Sequence, residues 1–130
     1  MKNYLGIDWG AADIGVALAH GETRIALAYT TLHNDQDFLR RLGEIIVSEN
    51  IGTVVIGIPS YINRVEVKYP GEKLGELLAK HFPVGIAYQN EMFTTKMAQA
   101  NLIERGMKQV SKHDDEEAAR IILSTWLDKK

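Results

Sequence analysis

Tyr4-Leu-Gly-Ile-Asp-Trp-Gly-Ala-Ala-Asp-Ile-Gly-Val-Ala-Leu-Ala19 begins as an apolar strand with one acid, Asp8, in its middle. Two glycines follow, in a tight turn that leads into a second apolar strand. Leu5, Ile7 and Trp9 alternate with Gly6 and Asp8, so a period of two separates the large apolar side chains from the acid. A carboxylate set into a Leu/Ile/Val sheet is costly unless a cation or hydrogen-bond donors satisfy it. That cost makes Asp8 a candidate functional residue. The plainer alternative is an acid that only hydrogen-bonds the Gly10 turn.

Outward from this stretch, Ile14–His20 and Arg24–Thr31 flank a turn containing Gly21 and read as an antiparallel hairpin continuing the first strand. Asp35 is expected to cap a helix whose apolar stripe is Phe38, Leu39, Leu42, Ile45 and Ile46, ended by Asn50 and Gly52. Val54–Ile58 is a continuous apolar run closed by Pro59, the pattern of a parallel strand covered on both faces. The polar stretch from Ser60 to Gly71 reads as a surface loop, and Glu72–Phe82 as a helix stopped by Pro83. Val84–Tyr88 is a last short strand leading into Gln89, Asn90 and Glu91. Thr94 or Thr95 caps a helix running to Arg105, with Gly106 at its exit. Asp114 is expected to cap the final helix, with Glu117 completing an Asp version of the capping box. Three meandering strands followed by alternating helices and strands predict an α/β fold, a mixed five-stranded sheet with helices on its faces.

With 130 residues, the chain is expected to be a single domain over 1–130 that buries about two-thirds of its unfolded surface. No apolar stretch is long enough to span a bilayer, and the N-terminus lacks the pattern of a signal peptide. The absence of cysteine excludes disulfides, thiolate metal sites and cysteine nucleophiles. A cytoplasmic protein with no membrane partner is the expectation. The net charge of -2 argues against a general polyanion binder, so any nucleic-acid contact must come from a local basic surface. Such a segment lies between Phe93 and His113, where Lys96, Arg105, Lys108 and Lys112 outnumber the single acid Glu104. It ends beside Asp115 and could lead a phosphate backbone there. A solvated helix face explains it nearly as well.

Three acids stand out by context: Asp8 in the first strand, Glu91 directly after the last strand, and Asp115 in the first turn of the last helix. Helical periodicity aligns Asp115 with Ala119, Ile122 and Trp126, the apolar face, and aligns Asp114 with Ala118, Ile121 and Thr125. Asp115 is therefore the better inward-pointing acid and Asp114 the better cap. Three converging carboxylates repel one another unless a divalent cation lies among them, and hard oxygen donors suit Mg2+ or Mn2+. Two such ions about 4 Å apart can activate water and stabilise the leaving oxygen of a phosphodiester. The alternative is that Glu91 and Asp115 are solvated acids favoured at helix N-termini.

Gly6-Ile-Asp-Trp-Gly10 with Ile14-Gly-Val-Ala17, Val55-Ile-Gly-Ile-Pro59, Asn90-Glu-Met-Phe-Thr-Thr95 and Asp115-Glu-Glu-Ala-Ala119 resemble, in order and spacing, the YqgF/RuvX family. The resemblance covers nearly the whole chain. It implies an RNase H-like fold and a nuclease acting on structured nucleic acid, either RNA at the 5′ end of pre-16S rRNA or branched DNA as a Holliday junction resolvase. It also implies acids at Asp8, Glu91 and Asp115 as catalytic metal ligands for Mg2+ or Mn2+. On this reading Thr94 and Thr95 shape the loop or contact phosphate, and Lys96, Lys108 and Lys112 contact nucleic acid.

The chain departs from the family pattern at Asp13, where a basic residue is usual, and at Asn90 and Met92, where an acid and an arginine are usual. A catalytically weakened nucleic-acid-binding module of the same fold is the resulting rival. Half of an actin-like or sugar-kinase ATPase is a third reading, because those proteins begin with a similar hairpin, but 130 residues are not expected to hold the second domain that closes over a nucleotide. A monomer or a homodimer is compatible with the sequence, and a resolvase needs two sites.

Overall fold

The computed structural model describes residues 1–58, 70–90 and 112–129. In chain order the elements are β1 (Asn3–Asp8), β2 (Asp13–Ala19), β3 (Ala26–His33), α1 (Phe38–Ser48), β4 (Ile51–Ile58), α2 (Pro70–His81), β5 (Gly85–Asn90) and α3 (Lys112–Asp128). The strands form one five-stranded sheet in the order β3-β2-β1-β4-β5. The β1–β2 and β2–β3 pairs are antiparallel, whereas β1–β4 and β4–β5 are parallel. The mixed sheet expected from the sequence is therefore the observed one.

The alternation in β1 divides the two cores. Leu5 and Ile7 join Ile14, Val16, Val54 and Ile56 against Phe38 and Leu42 of α1 and Leu74 and Leu78 of α2. Trp9 lies at the margin of this core, edge-on to Phe38 at 5.7 Å between ring centroids. On the other face Ala17, Ala19, Ala26 and Val55 pack against Ala119, Ile122, Leu123 and Leu127 of α3. Tyr4 meets Trp126 on that same face at 5.9 Å. Tyr4, Gly6 and Asp8 thus share the α3 face. A Cβ on Gly6 would come within 2.7 Å of Leu123 Cβ, so glycine is what lets the helix approach β1 closely.

Several expected boundaries shift. The helix expected to be capped by Asp35 begins at Phe38, and the residue at its N-cap, Asp37, makes no side-chain cap. Asp35 instead closes a turn ahead of the helix, its carboxylate accepting the Asp37 N–H at 2.9 Å and also pairing with Arg41. The helix ends at Ser48 and the chain turns at Asn50, which takes a left-handed φ of 52°, while Gly52 belongs to β4. Pro70 and Gly71 open α2 instead of closing a loop, consistent with the preference for proline in a first helical turn. The stretch 59–69 and the helix expected from Thr94 or Thr95 to Arg105 lie outside the described residues.

Desolvation pushes the Asp35 carboxyl upward, but the Asp37 N–H and the Arg41 guanidinium outweigh it and hold it below the ordinary value. A depressed folded-state pKa contributes stability that is present above the unfolded value, near 3.9, and is lost as pH falls through the folded one. Asp35→Asn is expected to leave a melting temperature that declines less steeply than wild type as pH drops below about 4. Thermal melts recorded from pH 3 to 6 check this, and parallel declines would show that the Arg41 pair contributes nothing.

Candidate active site

Asp8 ends β1 and pairs in register with Gly15 of β2, which in turn pairs with Thr31 of β3. On the other side, the β1–β4 register runs Ile7 to Ile56, which brings Gly57 alongside Asp8, and Gly57 pairs with Gln89. A row therefore crosses the sheet on the α3 face: Thr31, Gly15, Asp8, Gly57, Gln89. The acid is flanked by two glycines and sits half-buried at the carboxyl end of its strand. Ligand sites in mixed α/β sheets collect at such strand ends.

The helix α3 descends onto this row. From Trp126 over Tyr4 to Leu123 and Ala119 over Gly6, it runs antiparallel to β1. The eleven residues back from Trp126 to Asp115 cover roughly 16 Å of helix, against roughly 13 Å of strand from Tyr4 to Asp8. Both acids thus reach the same end of the sheet. The contact there is direct: a Cβ built on Gly15 would overlap the backbone carbonyl of Asp115. Gly15, the register partner of Asp8, is also the residue on which the Asp115 turn rests.

The structure corrects the reading of Asp114. The helix begins at Lys112, so Asp114 lies within its first turn and does not precede it. Lys112 and His113 carry no helix-breaking chemistry, so nothing forces the helix to wait for an aspartate, and acids in a first turn are favoured by the helix dipole. Glu117, expected to complete a capping box, is buried and its carboxylate accepts hydrogen bonds from Arg120.

The remaining expected site residues divide as follows. Asn90 is the last residue of β5 and pairs with Ile58. Glu91 follows it directly in sequence, and Glu91, Thr94, Thr95, Lys96 and Lys108 all lie outside the described residues. Lys112 is the first residue of α3. No group of three or more His, Asp or Glu side chains suited to a metal ion occurs among the described residues. Asp8 and Asp115 are the part of the expected donor set that the structure describes, and hard oxygen donors of this kind fit Mg2+ or Mn2+.

Sequence reasoning missed a polar cleft of about 250 Å3 beside this row, lined by Asp13, Thr30, Thr31, His33 and Glu116. Asp13 and His33 are register partners across β2 and β3, joined at 2.9 Å between Oδ1 and Nδ1. The Thr31 hydroxyl donates to Glu116 Oε2 at 3.0 Å. The Gly10 turn is held separately, by Asn34 Nδ2 donating to the Gly10 carbonyl at 2.9 Å. None of these pairs had a local signal, because each joins residues about 20 or more positions apart.

No helix among the described residues is long and apolar enough to cross a membrane. Among solved structures, the fold is shared with a fowlpox virus resolvase in complex with Holliday junction DNA, at a TM-score of 0.64 and 11% identity over 98% of this chain and 97% of that one. Thermus thermophilus RuvC superposes with a TM-score of 0.60 at 18% identity, covering 99% of this chain and 95% of the other. The expected RNase H-like architecture is thus the observed one. In sequence, a protein of Dechloromonas aromatica named "Putative pre-16S rRNA nuclease" is 31% identical, covering 98% of this chain and 92% of its own length. A protein of the same name from Rickettsia canadensis is 34% identical over 95% of this chain and 84% of its own. The sequence model of the RuvX family, described as Holliday junction resolvase, matches residues 2–129. A match of that extent, on this fold, establishes that the chain belongs to the RuvX family of RNase H-like nucleases.

Proposed function

We propose that residues 1–130 form one nuclease domain that hydrolyses phosphodiester bonds in structured nucleic acid with Mg2+ or Mn2+, in the cytoplasm. The 5′ end of pre-16S rRNA is the first candidate substrate and branched DNA the second. The observation that carries this reading is the meeting of the Asp8 strand end and the Asp115 helical turn at Gly15. The two acids come from elements a hundred residues apart, and carboxylates brought together at this end of the sheet would repel each other in the absence of a cation. Divalent ions held by Asp8, Asp115 and Glu91 would supply an activated water and stabilise the leaving oxygen. The chain's own tasks are to present those carboxylates at this end of the sheet and to orient the backbone for in-line attack. Lys96, Lys108 and Lys112 attract the phosphates, while Thr94 and Thr95 donate hydrogen bonds to them. Resolution of a junction would require two sites, hence two copies of the chain.

The departure at Asp13 favours slow turnover. Its carboxylate is paired with His33 at the surface, where a cation facing phosphate would otherwise help. Well-placed donors are worth about 2–4 kcal/mol in a water-poor site, but solvent reduces this at exposed positions. The test is a Mg2+ or Mn2+ cleavage assay on a panel of pre-rRNA and four-way-junction substrates. Wild type is expected to cut slowly, and Asp13→Arg with Met92→Arg to raise kcat by about tenfold with little change in KM. No cleavage by either protein, with nucleic-acid binding retained, would replace this reading with the binding module.

A further inference from the structure

We propose that Glu116, held by the Thr31 hydroxyl, is a positioning residue that seats the first turn of α3 on Gly15 and so sets Asp115 against Asp8. The inference rests on the metal-site reading above.

The seat of α3 is apolar from Ala118 onward, through Ala119, Ile122, Leu123 and Leu127. Upstream of that point the helix reads Lys-His-Asp-Asp-Glu-Glu over 112–117, without one apolar residue. Hydrophobic burial therefore cannot hold the turn that carries Asp115. Charge works against it as well, because four consecutive acids, Asp114 to Glu117, approach a strand end that already carries Asp8. A first turn without apolar contacts can lift from the sheet even though the helix dipole favours its acids.

Two described features oppose that lifting. Gly15 lets the Asp115 backbone lie flush on β2, which permits the approach but supplies no attraction of its own. One attraction comes from a strand further out, where Thr31 Oγ1 donates to Glu116 Oε2 at 3.0 Å. A hydroxyl donating to an ionised carboxylate belongs to the stronger class of hydrogen bonds. Thr31 is the register partner of Gly15, so this bond ties the helix to the row that contains Asp8. Glu117, next along the helix, is engaged by Arg120 of the same helix. Glu116 of this turn thus reaches the sheet through a hydrogen bond from its side chain to Thr31.

The consequence is a penalty on metal affinity. If the turn is seated only a fraction of the time, the apparent dissociation constant rises by the inverse of that fraction. Titration calorimetry with Mn2+ alone, without nucleic acid, reads this directly. Thr31→Val keeps the β-branched shape and removes the hydroxyl, and is expected to weaken Mn2+ binding on the order of tenfold. Glu116→Ala should do the same, and the double variant should be no worse than either single one. Glu116→Gln retains an oxygen that accepts from Thr31 and should keep affinity within about threefold of wild type. Amide hydrogen exchange across 115–119 should quicken in Thr31→Val even without metal, a readout independent of the ion.

Unchanged Mn2+ affinity and unchanged exchange in Thr31→Val would overturn the proposal. So would a loss in Glu116→Gln as large as in Glu116→Ala, since that result makes Glu116 a ligand. Quickened exchange, together with Mn2+ affinity that is unaffected in Asp8→Asn, would uphold the tether and remove the metal reading instead.

Discussion

Asp8→Asn is expected to abolish Mn2+ binding and nucleic-acid cleavage while the protein stays folded at a melting temperature equal to or above that of wild type. The substitution is nearly isosteric, so the packing of β1 between α3 and the α1–α2 layer is undisturbed. It removes one anion from a strand end that faces the acidic first turn of α3, and with it a repulsion that the metal-free protein must bear. A hard divalent ion loses a full charge among its ligands and binds an amide oxygen only weakly. Calorimetry with Mn2+, paired with thermal melts, reads the two effects separately. Full Mn2+ affinity in Asp8→Asn would move the metal site elsewhere, and a collapse in melting temperature would mean that Asp8 mainly organises the Gly10 turn.

Gly15→Ala is expected to be more damaging than any other single methyl addition on the α3 face. The new Cβ would overlap the Asp115 carbonyl, a backbone atom that can move only if the helix start moves with it. By comparison, a methyl on Gly6 would meet Leu123 Cβ at 2.7 Å and the Ala119 carbonyl at 3.0 Å, a less severe overlap than the one at Gly15. Overpacking of this kind costs about 3 kcal/mol when the obstacle is rigid. The helix can escape most of that cost by lifting its first turn, so the loss should appear chiefly as lost metal affinity and lost cleavage. Urea denaturation and Mn2+ titration of Gly15→Ala together check this. Stability and affinity both at wild-type level would show that α3 does not rest on β2 at this point.

Much of the architecture was legible in local pattern. The period-two alternation of β1 assigned Leu5 and Ile7 to one core and Asp8 to the other face, and the structure keeps that division. The helical period that grouped Ala119, Ile122 and Trp126 also held, because a buried stripe imposes its periodicity whatever the sheet beneath it. Ends of elements were less legible. Lys112 and His113 could belong to a loop or to a helix, and in the structure both belong to α3, which takes the capping role from Asp114.

The sequence by itself determined the mixed α/β fold, its family and the acid in the first strand, because these depend on periodicity and on motifs of a few adjacent residues. What only the tertiary structure decided is the meeting of elements. Gly15 is an ordinary strand glycine until α3 is laid upon it, and Glu116 is one acid among 17 until Thr31 is found beneath it. Such contacts join residues 85 to 100 positions apart, and they follow from how a helix with an apolar stripe settles on a twisted sheet. No local propensity encodes that settling, since it is set by the combined packing of both faces.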